Sequence, residues 1–199
     1  TKRLMEKLFV SANNYGGIKQ HKTQFITARY GNVFGSSGSV FPKFIEQIKL
    51  NQKITITDPK MTRFSITMDD ALNFIINAIK FGKGSEIFVP RLKAYSILTI
   101  NDALSDIYGK IKQETIGIRP GEKLHETLVD KDEMRYSWEY KNMYLISNPF
   151  YPTFYGKKIE KVYNGIKKIK KTDVYSSDKV QTLSKKEIIN TLKQSELVK

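Results

Sequence analysis

Residues 67–90 read TMDDALNFIINAIKFGKGSEIFVP. The first part carries a helical signature. Apolar residues recur on one face, Thr67 stands where an N-cap hydroxyl belongs, and Asp69 and Asp70 place negative charge in the first turn. Gly82 marks the stop. The second part, Ser85 to Pro90, is a short apolar run closed by proline and reads as a strand. A helix followed at once by a strand is the working unit of an α/β protein, and the stretches on either side continue the pattern.

Upstream, residues 2–13 read as an amphipathic helix, with Leu4, Leu8 and Ala12 at helical spacing and Met5 and Phe9 beside them. Thr23 to Tyr30 is a β-rich run that ends in a glycine loop. SVFPKFIEQIKLN (39–51) has helical period, and KITITD (53–58) is a short strand stopped by Asp58 and Pro59. Downstream, TINDALSDIYG (99–109) reads as a helix capped by Thr99 or Asn101 and ended by Gly109. QETIGI (113–118) is a strand feeding the turn RPGEK (119–123), whose Glu122 opens a further helix. NMYLISNP (142–149) reads as another strand. SKKE (184–187) forms a capping box that predicts a helix over 185–194. The order α-β-α-β-α-β-α-β with short connections predicts an α/β fold with mainly parallel pairing.

Composition narrows the function classes. The chain has 199 residues, 40% hydrophobic and 12% aromatic, which suits a folded core. No apolar run approaches the roughly 18 residues a membrane helix needs, and no signal-peptide pattern is visible. Cysteine is absent, which excludes a disulfide framework and thiolate metal sites. His21 and His125 lie far apart, and nothing at ligand spacing joins them, so no metal is expected. The net charge of +14 raises a rival reading, a basic nucleic-acid-binding module. Lysine supplies most of that charge, in the pattern an AT-rich genome writes onto any surface. The densest run, GKKIEKVYNGIKKIKK (156–171), lacks the aromatic–glycine signature of an RNA-binding sheet.

Three stretches could carry chemistry. In RYGNVFGSSGSVFPKF (29–44), Gly35 and Gly38 let backbone approach a ligand, the serines add hydroxyls, and a helix start offers free amides to an anion. Arg29 and Asn32 stand where a strand ends. The alternative is an ordinary strand-to-helix loop. In ITDPKMTRF (56–64), Arg63 is an arginine in a lysine-rich chain, and its planar fork suits phosphate; alternatively it pairs with Asp58 or Asp69. In GIRPGEKLHE (117–126), Arg119 and Glu122 could clamp a nucleotide, or serve only the turn. A dinucleotide-binding sheet carries a glycine-rich loop after its first strand, and no such loop is present here.

These stretches, with EKLFVSANN (6–14) and GSEIFVP (84–90), together resemble the C-terminal half of an extended short-chain dehydrogenase/reductase acting on nucleotide sugars. The nearest resemblance is to the inverting UDP-N-acetylglucosamine 4,6-dehydratase family of pseudaminic acid synthesis, within the polysaccharide biosynthesis proteins. It runs from residue 1 to about 150, in the family's order and spacing. It fades through the lysine-rich segment and returns in VYSSDKVQTLSKKEI (174–188). Relatives making other 4-keto-6-deoxy sugars, and UDP-sugar epimerases, remain the near alternative.

The resemblance implies a division into residues 1–150, the end of a Rossmann-like domain interleaved with a nucleotide-sugar-binding domain, and 151–199, a lysine-rich segment ending in a helix. It makes Thr1 and Lys2 the last two residues of a Tyr-x-x-x-Lys motif. Lys2 would then bond the nicotinamide ribose and lower the pKa of a tyrosine preceding Thr1. The cofactor, NADP or NAD, would be held mainly by a preceding half, with Lys2, Tyr30 and Asn32 contributing. Hydride would leave C4 of the sugar, water would be lost across C5 and C6, hydride would return to C6, and C5 would be inverted. The UDP-sugar would be held by Arg29, Asn32 and the Ser37, Gly38, Ser39, Val40 loop. Thr55, Thr57 and Asp58 would pass near uracil, Arg63 and Arg119 would neutralise phosphates, and Glu122 would bond ribose. Ser37 stands where relatives often carry arginine. The reading is a cytoplasmic lyase, bacterial or archaeal, homo-oligomeric at full length, binding no nucleic acid, and inactive as this stretch alone.

Overall fold

The structure, a computed structural model, describes residues 2–13, 23–149, 152, 156–170, 173–195 and 197–198; Thr1 and His21 lie outside them. The chain divides into two compact units, each assembled from three separate segments.

The first unit comprises residues 1–30, 69–91 and 128–175. At its centre is β5 (Ile87–Pro90), buried along its whole length. β5 pairs in parallel with β1 (Thr27–Ala28) and antiparallel with the strand Met143–Ile146. That strand forms a hairpin with Ser137–Tyr140, which in turn pairs with Lys167–Lys168. The pairing is therefore mixed rather than mainly parallel. The hairpin turn is made by Lys141 and Asn142 at φ 49° and 20°, a two-residue connection whose twist matches its strands. Helix α3 (Met68–Phe81) buries Ala71, Phe74 and Ala78 and ends where the Gly82 amide bonds the Ala78 carbonyl. Helix α1 (Lys2–Ala12) buries no residue; Leu4, Met5, Leu8 and Phe9 are all exposed, as are Leu72, Ile76 and Ile79 of α3.

Arg29 ties this unit together. Its guanidinium donates to both carboxylate oxygens of Glu6 on α1, to both of Glu133 on α5 (Lys131–Met134), and to the Leu128 carbonyl at 2.6 Å. Burial alone would lower its pKa, but the bonds to Glu133 and Glu6 hold it above the ordinary arginine value.

Beneath β5, Glu86 is fully buried. Its carboxylate accepts from the amides of Lys83 (3.1 Å) and Gly84 (2.7 Å). Burial pushes its pKa up to about 6, against the opposing pull of the Tyr163 hydroxyl and those amides.

The second unit comprises residues 31–68, 92–127 and 176–199. A three-stranded sheet runs β2 (Asn32–Val33), β4 (Thr62–Ile66), β6 (Ala94–Ser96), with β2 parallel and β6 antiparallel to β4. A second ladder joins β3 (Ile54–Ile56) in parallel to β7 (Gln113–Thr115). The core gathers Phe41, Phe44 and Ile45 of α2 (Val40–Lys49), Ile54 and Ile56, and Ile97, Ile100 and Leu104 of α4 (Ile97–Tyr108). Ile188 and Leu192 of the helix Lys185–Gln194 complete it. That last helix opens with the capping box read from the sequence: the Ser184 hydroxyl accepts from the Glu187 amide, and the Glu187 carboxylate from the Ser184 amide. Helix α4 begins earlier than expected. Its cap is Ser96, whose hydroxyl accepts from the Thr99 amide, because β6 ends there and leaves the hydroxyl free to turn back.

Gly31 is the tightest backbone approach in this unit. A Cβ there would lie 2.5 Å from Phe64 Cβ and 2.9 Å from the Phe64 carbonyl oxygen. Gly31→Ala should therefore lower stability by about 1–3 kcal/mol, the usual cost of overpacking, read as a drop in the urea or thermal midpoint.

Glu86 generates a pH dependence. An acid whose folded pKa is raised binds its proton more tightly when folded. Its stabilising contribution is full below about pH 4.5, the ordinary glutamate value, and is lost as pH rises through about 6. Between these limits the wild type should lose up to about 2 kcal/mol, and Glu86→Gln should flatten that fall, as measured by urea unfolding at pH 4.5 and pH 8.

Candidate functional site

The second unit carries a cleft of about 220 Å³. One wall is the three-stranded sheet. Asn32 comes from β2, while Arg63 on β4 and Tyr95 on β6 are direct cross-strand partners. A second wall is the start of α2. Gly35 and Gly38 adopt φ 73° and 75°, conformations that favour glycine, and they turn the chain so that Gly38, Ser39 and Val40 line the cleft. Ser39 is the N-cap residue, yet its hydroxyl makes no capping bond; the atom is buried with no partner among the described residues. Lys43, one helical turn on, also lines the cleft.

The third wall is β3 and the loop after β7. The Gln47 side chain fixes Thr55 by a paired contact, with the Thr55 amide donating to Oε1 and Nε2 donating to the Thr55 hydroxyl, both at 3.2 Å. Thr55 and Thr57 both line the cleft. Arg119 and Glu122 are held by their own turn: the Glu122 amide donates to the Arg119 carbonyl at 3.0 Å, and Gly121 sits at φ 80°. Glu122 opens no helix; the chain stays irregular until Thr127. The floor is apolar, made by Phe44, Met61 and Ile97, which also belong to the unit's core.

Arg63 sets the electrostatics. Its side chain is 13% exposed, and backbone carbonyls receive it: Nη1 donates to Thr62 (2.8 Å) and Leu124 (2.9 Å), Nη2 to Lys123 (2.7 Å). Glu122 stands 3.8 Å from Nη2. A second carboxylate lies in its field: burial pushes the Glu126 pKa up, and the Phe64 amide and Arg63 draw it back down. Tyr95 is buried, and burial drives its pKa up to about 12, with the Asn32 side chain pulling the other way. Its hydroxyl stays protonated near neutral pH and can hold a ligand by hydrogen bonds, but it is no general base.

Asn32, Gly38, Ser39, Val40, Thr55, Thr57, Arg63, Arg119 and Glu122 thus meet in one cleft. Arg29, expected beside them, lies in the first unit with its donors spent on Glu6, Glu133 and Leu128. Tyr30 is also there, edge-on to Phe74 at 6.1 Å, and Lys2 is exposed at the start of α1. Ser37 does not line the cleft. Asp58 is used by its own turn, accepting from the Lys60 amide at 2.7 Å. Lys43 and Tyr95 went unread in the sequence. Lys43 shares a helix face with Ser39 at i, i+4, a spacing that identifies it once α2 is placed. Tyr95 arrives only by strand register. Among the described residues no group of three or more metal-ligating side chains converges.

The UDP-N-acetylglucosamine 4,6-dehydratase (inverting) of Campylobacter jejuni is 37% identical over 98% of this chain and 58% of its own length. A UDP-glucose 4-epimerase of Rickettsia canadensis is 36% identical over 94% of this chain and 54% of its own. The X-ray structure of Pen from Bacillus thuringiensis superposes over the whole chain and 56% of its own, with a TM-score of 0.83 and 34% identity. The chain therefore spans little more than half the length of these relatives. The family model described as "Polysaccharide biosynthesis protein" matches residues 1–148, and the chain belongs to that family.

Proposed function

We propose that this chain is the nucleotide-sugar-binding part of a UDP-N-acetylglucosamine 4,6-dehydratase of the C5-inverting kind. The observation that carries the reading is the convergence of Arg63, Arg119 and Lys43 on one cleft with the start of α2 and an apolar floor. Three cations around first-turn amides suit a diphosphate. Thr55 and Thr57 border the place for uracil, Glu122 bonds ribose hydroxyls, and Asn32, backed by Tyr95, meets the sugar. Ser37, which does not line the cleft, and Asp58 and Arg29, whose side chains have other partners, are left out of this assignment.

Lys2 is exposed on the first turn of α1 and has no ion pair among the described residues, which leaves its ammonium for a cofactor. It would bond the nicotinamide ribose of NADP or NAD. A bound nicotinamide dinucleotide supplies reversible hydride transfer. The chain's own residues in the second unit's cleft hold the UDP-sugar. The 4-epimerase relatives support a second reading for the same cleft, and the two differ in whether water is lost from the product.

This chain should bind UDP in calorimetric titration, more weakly as salt rises. Arg119→Ala should weaken UDP binding roughly tenfold, and Lys43→Ala about threefold, as befits an exposed single charge. No UDP binding at low salt overturns the reading. In a protein of the relatives' full length, Lys2→Met should lower turnover of UDP-N-acetylglucosamine by at least about a hundredfold. The product should be one water lighter by mass spectrometry; an isomer of unchanged mass favours the epimerase reading.

A further inference from the structure

The stretch VYSSDKVQTLS (174–184) contributes no residue to the cleft, yet Ser177 within it is fully buried. Its hydroxyl lies 2.7 Å from the Thr62 hydroxyl, donates to the Thr62 carbonyl at 3.1 Å, and accepts from the Glu126 amide at 2.9 Å. The Ser177 amide donates to the Glu126 carbonyl at 2.8 Å. His125 Nδ1 meets the Thr62 hydroxyl from the other side at 2.8 Å. Ser177 therefore stitches strand β4 to the segment 123–126.

Those two pieces of backbone are the ones that seat Arg63. The Thr62 carbonyl bonded by Ser177 also accepts from Arg63 Nη1. The Leu124 carbonyl accepts from both the Thr62 amide and Arg63 Nη1, and Lys123 takes Nη2. Of the five guanidinium N–H groups these bonds use three, leaving Nε–H and one on Nη2. Those two share one edge, the edge that grips a phosphate with paired hydrogen bonds. Where that edge points depends on how Thr62, Lys123 and Leu124 are held together.

We infer that Ser177 is a positioning residue: from outside the cleft it fixes the seat of Arg63 and so sets the affinity for the diphosphate. This rests on the nucleotide-binding reading above. It gives the 174–184 stretch a role in substrate recognition rather than in packing alone.

The test is a double-mutant cycle in this chain, with Ser177→Ala, Arg63→Met and the double variant, each titrated with UDP and with uridine by NMR. Ser177→Ala should weaken UDP roughly tenfold while leaving uridine within about twofold. In the Arg63→Met background it should cost no further UDP affinity, because the group it acts through is gone. Ser177→Cys keeps the volume, weakens the donor, and should fall between; it replaces the alanine variant if that one does not fold. Unchanged UDP affinity, equal loss for uridine, or additive losses in the cycle overturns the inference. If the wild-type chain binds no UDP, the nucleotide reading itself fails and the inference falls with it.

Discussion

An arginine in a nearly closed environment must place five N–H groups, and what receives them decides what the residue can do. Arg63 is received by peptide carbonyls, with its carboxylate neighbour Glu122 at 3.8 Å. Its geometry is fixed by neutral acceptors, and Glu122 and Glu126 act on it through their charge rather than through hydrogen bonds. Arg29 is received by two carboxylates at once, so charge and geometry are both consumed within the first unit. The contrast separates an arginine seated by neutral groups from one consumed by ion pairs. It also explains the traffic around Arg63: β4, the turn after β7 and the buried Ser177 all meet at its carbonyl seat.

The cleft is coupled to the core beneath it. Phe44, Met61, Tyr95 and Ile97 are at once its floor or wall and part of the hydrophobic cluster that holds α2, α4 and the helix Lys185–Gln194 together. Tyr95 shows what that costs. A hydroxyl held in apolar surroundings is difficult to ionise, so it serves as a neutral hydrogen-bonding group beside Asn32.

Features written locally were legible in the sequence. The α3 stop at Gly82, the β5 run closed by Pro90 and the Ser184–Glu187 capping box are each set by residues within a turn of one another, and each appears in the structure. Most of the cleft's lining was legible for another reason, since its stretches resemble those of a known family. What escaped was either ambiguous locally or set at long range. Ser96 was hidden as a cap because it is also the last residue of a strand. The Lys141–Asn142 hairpin turn, which makes the sheet mixed, lacks the glycine that usually advertises such turns. Arg29 sits beside a ligand motif in sequence, but Glu6 and Glu133, 23 and 104 residues away, claim it. The periodicity of α1 correctly announced a helix, but period does not say what a face packs on, and its apolar side is exposed.

The alternation of the two units along the chain bears on how the protein is made. Each unit takes its three segments in turn with the other. β5 lies between β1, which is synthesised before it, and the strand Met143–Ile146, which emerges more than fifty residues later. The core of the second unit waits longer still, for Ile188 and Leu192. Neither unit can finish folding while the other is unsynthesised, so half-made chains leave the ribosome with unfilled sheet positions and an open core. A stop before residue 175 leaves both units incomplete, whereas one between 176 and 187 spares the first and strips Ile188 and Leu192 from the core of the second.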